Sequence, residues 1–219
     1  MKRKRQGTHS LVNKKVGWVL PILPYREAFM DRESVLRALR DTPIVAAVKD
    51  YDGLERCLSS DCQVVFVLFG DILSIPGIVE RIKEAGRTAF VHLDLIDGLS
   101  SREIAVSFIR NATKADGVIT TKSQLIKRAR ELGLITVQRF FMIDSIALEG
   151  FSKQLGAGQL PDFIEVLPGV MPKILRRLTG MTQVPIIAGG LISDKEDILS
   201  ALAAGAAAVS ATRPDIWFM

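Results

Sequence analysis

Two stretches of this 219-residue chain combine residue types that can hold an anion. Ala188-Gly189-Gly190-Leu191-Ile192 pairs two glycines, and Val209-Ser210-Ala211-Thr212 sets two hydroxyls close together. Paired glycines let backbone N–H groups approach phosphate oxygens with no Cβ in the way. Hydroxyls at Ser210 and Thr212 add donors, and a helix starting beside the glycines would add the positive end of its dipole. A second set, Lys49, Asp94, Lys122, Arg139 and Glu165, lies in or at the ends of apolar runs. An unpaired charge is costly to bury there. Together these residues suggest a polar cup for a charged, hydroxylated ligand, while each alone could equally be half of an internal ion pair. His92 reads as a satisfied core histidine rather than a base.

No spaced nucleophile–base pair emerges, so no catalytic residue is assigned. Lys49 and Lys122 are the positions at which a Schiff-base lysine would be sought, and Glu165 or Asp94 could serve as a carboxylate base. Cys57 and Cys62 fit neither a disulfide framework nor a zinc or haem spacing, and His9 and His92 do not complete a local metal cluster. The expectation is two free thiols in a reducing, cytoplasmic setting, with no metal and no cofactor.

These residues need elements to position them, and the chain supplies a regular alternation. Apolar, β-branched runs occupy Ile44–Lys49, Val64–Phe69, Thr88–Asp94, Asp116–Thr120, Ile135–Phe141, Asp162–Leu167, Pro185–Ala188 and Ala206–Ala211. They are continuously apolar rather than alternating, as strands buried on both faces require. Helical spacing fills the gaps: Ile104, Ala105, Phe108, Ile109 and Ala112 share one face, as do Leu125, Ile126, Ala129 and Leu132. Ser100-x-x-Glu103, Thr121-x-x-Gln124 and Ser193-x-x-Glu196 read as capping boxes, and Gly86, Gly133, Gly156, Gly180 and Gly205 as helix stops. Eight such units predict an α/β protein, a compact (β/α)8 TIM barrel over residues 30–219, with an extra helix at Asp31–Arg40 covering its bottom. An open doubly wound sheet is the alternative, but no G-x-G-x-x-G follows the first run. In a barrel, ligands sit at the C-terminal strand ends, and phosphates favour the loops after strands seven and eight, where both anion-holding stretches fall.

Charge is concentrated at one end. Residues 1–29 hold seven basic side chains and one acid, a net +6, against +5 for the whole chain, so residues 30–219 net −1. The high isoelectric point belongs to this arm, which is expected to be disordered and could contact RNA phosphates. Its apolar run, Val16–Pro24, is short, contains two prolines and lacks a cleavage site. A signal peptide or membrane span is therefore not expected. Two helices gather basic residues, Lys122, Lys127, Arg128 and Arg130 on one and Lys173, Arg176 and Arg177 on the other. Each is first a solvated face, though a homodimer could join such patches.

Several blocks resemble those of glycerol-3-phosphate-responsive antiterminators. They are His92-Leu93-Asp94-Leu95-Ile96-Asp97-Gly98-Leu99, Asp116 to Lys122, Gln138 to Ser145, Glu165-Val166-Leu167-Pro168-Gly169, and Pro185 to Ile192 with the segment through Trp217. The resemblance runs from about Thr42 to the C-terminus. It implies a small barrel without catalysis that senses glycerol 3-phosphate. Such a protein binds leader mRNA of glycerol-utilisation genes, so that transcription continues past a terminator. Carried over by position, Gly189, Gly190, Ser210 and Thr212 would contact the phosphate and the polar cup would hold the glycerol end. The family's Ser-Thr-Ser after the last strand is Ser210-Ala211-Thr212 here, which leaves the backbone site but removes the hydroxyl, and with it a side-chain contact, at 211. Two other classes compete: a barrel enzyme (aldolase, isomerase or synthase) on a small phosphorylated substrate, and a scaffold with a vestigial site.

Overall fold

The computed structural model describes residues 30–158 and 160–219. The basic arm expected over residues 1–29 lies outside the described residues. Eight parallel strands close in sequence order into a barrel: β1 (Ile44–Val48), β2 (Val64–Val67), β3 (Thr88–His92), β4 (Gly117–Thr120), β5 (Ile135–Phe141), β6 (Phe163–Leu167), β7 (Ile186–Gly189) and β8 (Ala208–Ala211). Helices α2 (Tyr51–Leu58), α3 (Ile75–Glu84), α4 (Glu103–Ala112), α5 (Ser123–Glu131), α6 (Ser145–Gly156), α7 (Pro172–Thr179) and α8 (Lys195–Ala203) follow β1 to β7 in turn, with α1 (Arg32–Asp41) ahead of β1. A short 3-10 helix, Pro214–Phe218, takes the place of a helix after β8. This is the TIM barrel expected from the alternation of runs.

Burial on both faces explains why the strand runs are uninterrupted. Val45, Ala47, Phe66, Phe90, Ile119, Val137, Phe163, Ile187 and Ala208 fill the barrel interior. Their neighbours Ala46, Val65, Val67, Val91, Val118, Ile164, Val166, Ala188 and Val209 pack outward under the helices. The rings of Phe66 and Phe90 meet edge to face at 5.6 Å. Gly117 leaves room for them, since a Cβ there would lie 2.4 Å from the Phe90 ring. Helix α1 seals the N-terminal mouth: Asp31 accepts the Ser34 N–H at 2.8 Å, and Val35 and Leu39 join the interior cluster. Among the described residues, the interior is therefore left open toward the C-terminal ends of the strands.

The helix boundaries correct two expectations. None of the three capping boxes forms as read. Helices α4 and α5 begin after Arg102 and Lys122 with no side-chain cap, and α8 is capped by Asp194. Thr121 is unavailable to α5 because its hydroxyl donates to Asp94 at 3.0 Å. Ser193 instead gives its hydroxyl and N–H to Asp197. Of the glycine stops, Gly86, Gly133 and Gly205 take positive φ, whereas Gly156 ends inside α6 and Gly180 stays right-handed.

Leu39 is 2% exposed at the sealed mouth, so Leu39→Ala should lower stability by about 2–4 kcal/mol, read from the shift of a urea midpoint. A loss below about 1 kcal/mol would mean that α1 does not close the core.

Candidate functional site

The alternation that points Phe90, Val137, Phe163, Ile187 and Ala208 into the barrel points His92, Arg139, Glu165, Gly189 and Ser210 the same way, one step nearer the open mouth. Register brings them together. Arg139 lies opposite Glu165, and Gly189 opposite Ser210. Arg139 Nε donates to Glu165 Oε2 at 2.6 Å, and Ser210 Oγ donates to Glu165 Oε1 at 2.6 Å. Glu165, only 1% exposed, thus has both carboxylate oxygens bonded. Gly189 is glycine because the bridge leaves no space: a Cβ there would sit 2.5 Å from Ser210 Oγ and 2.7 Å from Glu165 Oε1. The terminal nitrogens of Arg139 make no hydrogen bond among the described residues.

The other half of the expected cup is knotted to itself. Asp94 accepts the Thr120 hydroxyl at 3.0 Å, the Thr121 N–H at 2.8 Å, the Thr121 hydroxyl at 3.0 Å and Lys122 Nζ at 3.1 Å. Burial pushes its carboxyl up, but these bonds prevail and hold it below the usual carboxylate range. Lys122 Nζ also donates to Ser101 at 2.7 Å. Asp94 and Lys122 therefore tie the loops after β3 and β4 together. Lys49 and Thr212 stand exposed at the mouth, past the ends of β1 and β8.

The loops after β7 and β8 differ from expectation in which groups can donate. Ser210 has a single hydroxyl proton and gives it to Glu165, so it has none for an anion. The start of α8 adds no positive pole either: Asp194 caps it, and Glu196 and Asp197 fill its first turn. What these loops offer is backbone. The N–H groups of Gly190, Leu191, Ile192, Thr212 and Arg213 have no hydrogen-bond acceptor among the described residues. Gly190 and Leu191 sit at φ +76° and +64°, a left-handed pair that only glycine adopts without strain. The turn is anchored by Gly169, whose N–H donates to the Gly190 carbonyl at 3.0 Å.

Sequence reasoning missed His92. It is 2% exposed, and both ring nitrogens lack a partner. The signal was its inward parity with Phe90 at the end of β3, which puts it among charges rather than in the apolar layers. Burial, and then the charge of Arg139, push its pKa down to about 3. Cys57 and Cys62 are free and buried, and burial pushes the Cys57 thiol up to about 12. Among the described residues, no group of three or more His, Cys, Asp or Glu could hold a metal ion.

An acid-sensitivity follows from His92. The unfolded chain takes up this proton near pH 6.5, the folded protein only near 3. Its contribution to stability is complete above pH 6.5 and lost as the pH falls, at up to about 1.4 kcal/mol per pH unit. Urea midpoints between pH 6.5 and 4.5, above most carboxylate titration, should show this slope, and His92→Phe should remove it. An unchanged slope in the variant would assign the effect elsewhere.

Residues 44–217 match the family described as glycerol-3-phosphate responsive antiterminator. An uncharacterized protein of Escherichia coli K12, YgcP, is 43% identical over 183 residues, covering 84% of this chain and 95% of that protein. Among solved structures, the glycerol uptake operon antiterminator regulatory protein of Listeria monocytogenes is 30% identical with a TM-score of 0.78, covering 81% of this chain and 95% of that one. A glycerol uptake operon antiterminator-related protein of Thermotoga maritima is 34% identical with a TM-score of 0.70, covering 80% and 98%. A match across most of the barrel, from β1 to the last 3-10 helix, places the chain in the glycerol-3-phosphate responsive antiterminator family.

Proposed function

We propose that this protein senses glycerol 3-phosphate at the open mouth of its barrel. When liganded, it binds leader mRNA of glycerol-utilisation genes, letting transcription pass a terminator in the cytoplasm. The observation that carries the ligand half is the row of five backbone N–H groups without acceptors in the loops after β7 and β8. A phosphate dianion offers enough oxygens to occupy them. Arg139's terminal nitrogens lie deeper and can take a further ligand oxygen.

The regulator reading is preferred to an enzyme because the candidate lysines are poorly placed for covalent chemistry. A Schiff-base lysine must lose its charge in a dry environment. Lys122 is instead ion-paired with Asp94, and Lys49 is solvent-exposed. For the RNA half, support comes from α7. Lys173, Arg176 and Arg177 are exposed with no acidic partner among the described residues, and their spacing puts them on one side of the helix. On α5, Arg128 is paired with Glu131 and Arg130 donates to the Leu160 carbonyl, so that face is partly spent. A homodimer would present the α7 face twice. No described helix is long and apolar enough to cross a membrane.

Glycerol 3-phosphate should raise the melting temperature, with about 2.7 kcal/mol of added stability at a hundredfold excess over Kd, while glycerol alone should do little. Gly190→Val forces a branched side chain into a left-handed turn and against Leu167, which a Cβ would already approach to 3.2 Å. It should lower stability by about 1–2 kcal/mol and abolish the ligand-induced shift. Unmoved melting curves with millimolar glycerol 3-phosphate would end the sensor reading.

RNA affinity measured across a salt series, with and without glycerol 3-phosphate, tests the second half. Glycerol 3-phosphate should tighten binding to the leader over an unrelated RNA. Replacing Lys173, Arg176 and Arg177 by alanine should flatten the salt dependence by roughly 1 for each RNA phosphate no longer neutralised. Equal binding of both RNAs in either ligand state would refute RNA recognition by this barrel.

A further inference from the structure

His92 is the one buried polar side chain at the open end of the interior whose hydrogen bonding is wholly unmet among the described residues. The polar side chains around it are matched: Glu165 by Arg139 and Ser210, and Thr120 by Asp94. A ring with two idle nitrogens has given up hydrogen bonds that water supplied before folding, which is unfavourable unless something replaces them. Among the described residues none is supplied: Arg139 bonds Glu165 through Nε and makes no hydrogen bond to the ring, and Asp94 is filled by Thr120, Thr121 and Lys122. Arg139 on β5, Asp94 beyond β3 and Lys122 beyond β4 are all close enough to act on the ring electrostatically.

We propose that His92 reads a hydroxyl group of the bound phosphate ester, an inference that rests on the mouth of the barrel holding such an ester. Burial, and then the charge of Arg139, keep the ring neutral at physiological pH, so one nitrogen donates and the other accepts. A hydroxyl satisfies either role, and two neighbouring hydroxyls satisfy both. An ammonium would be opposed by the charge of Arg139. In this reading the ester sits with its anion at the β7 and β8 loops and a hydroxyl directed down toward His92 on β3. A ligand with a hydrocarbon end would leave both nitrogens unpaired, and sites built to bond a hydroxyl discriminate strongly against its absence.

The test is calorimetric titration of glycerol 3-phosphate and of inorganic phosphate into the full chain and its His92→Phe and His92→Gln variants. The wild type should prefer glycerol 3-phosphate. His92→Phe should shrink that preference by about 10- to 100-fold, the effect of two lost hydrogen bonds. His92→Gln, which keeps a donor and an acceptor, should recover part of it. If His92→Phe keeps the full preference, the ring is packing and the proposal is overturned. Should neither variant fold, the wild type decides. Ring ¹⁵N shifts of His92, assigned with His9→Ala, should move on adding glycerol 3-phosphate and not on adding phosphate. Static shifts with bound ester would refute the hydroxyl contact alone. Absence of binding by either compound would instead remove the sensor site, and this inference with it.

Discussion

Glu165 is the constraint around which the upper barrel is built. A carboxylate at 1% exposure cannot be left alone, because removing one partner of a buried ion pair typically costs about 3–5 kcal/mol. Its two oxygens demand two donors, and the strands deliver them from opposite sides: Arg139 on β5 at 2.6 Å and Ser210 on β8 at 2.6 Å. Between those sides runs β7, which must pass directly beside the bridge. Hence the glycine at 189, where any side chain would collide with Ser210 and Glu165. One buried charge thereby dictates the residue types on four consecutive strands. It also fixes Arg139 by its Nε alone, so that the rest of the guanidinium is held still and left unengaged.

The barrel is polarised along its axis. Its lower layers are aliphatic and aromatic and are capped by Val35 and Leu39. Its upper layer is charged, hydroxylated or bare backbone. The rim is polarised as well. Around β3 and β4, Asp94 consumes the nearby donors, including Lys122. Around β7 and β8 five N–H groups lack acceptors among the described residues, while the adjoining helix end is occupied by Asp194, Glu196 and Asp197. Those carboxylates make the first turn of α8 repel an anion rather than attract one.

The barrel was legible because parallel strands buried on both faces leave an unmistakable trace, and the eight runs agree with the strands to within two residues at each end. The residues of the site were legible as positions but not as partners. Nothing in the composition distinguishes a Lys122 open to a ligand from one bonded to Asp94, 28 residues earlier. Strand register decides such pairings, and register is a property of the closed sheet. The same holds for Ser210, whose hydroxyl is committed to a residue 45 positions away. The capping boxes failed for a related reason: a serine or threonine near a helix start is a cap only if no tertiary acceptor competes, and Asp94 and Asp197 do. His92 ran the other way. Lone histidines in apolar runs are usually satisfied, and only the surrounding strands reveal that this one is not.

The plug formed by α1 has a kinetic corollary. A vessel stoppered at one end fills and drains through the other, so anything bound in the cup arrives and leaves past the same eight loops. Residence time is then governed at the rim and not by a tunnel through the protein. A macromolecule seated over that rim would act as a lid, slowing escape without touching a ligand. Where ligand and lid favour the same form of the loops, each strengthens the other's hold by the same factor.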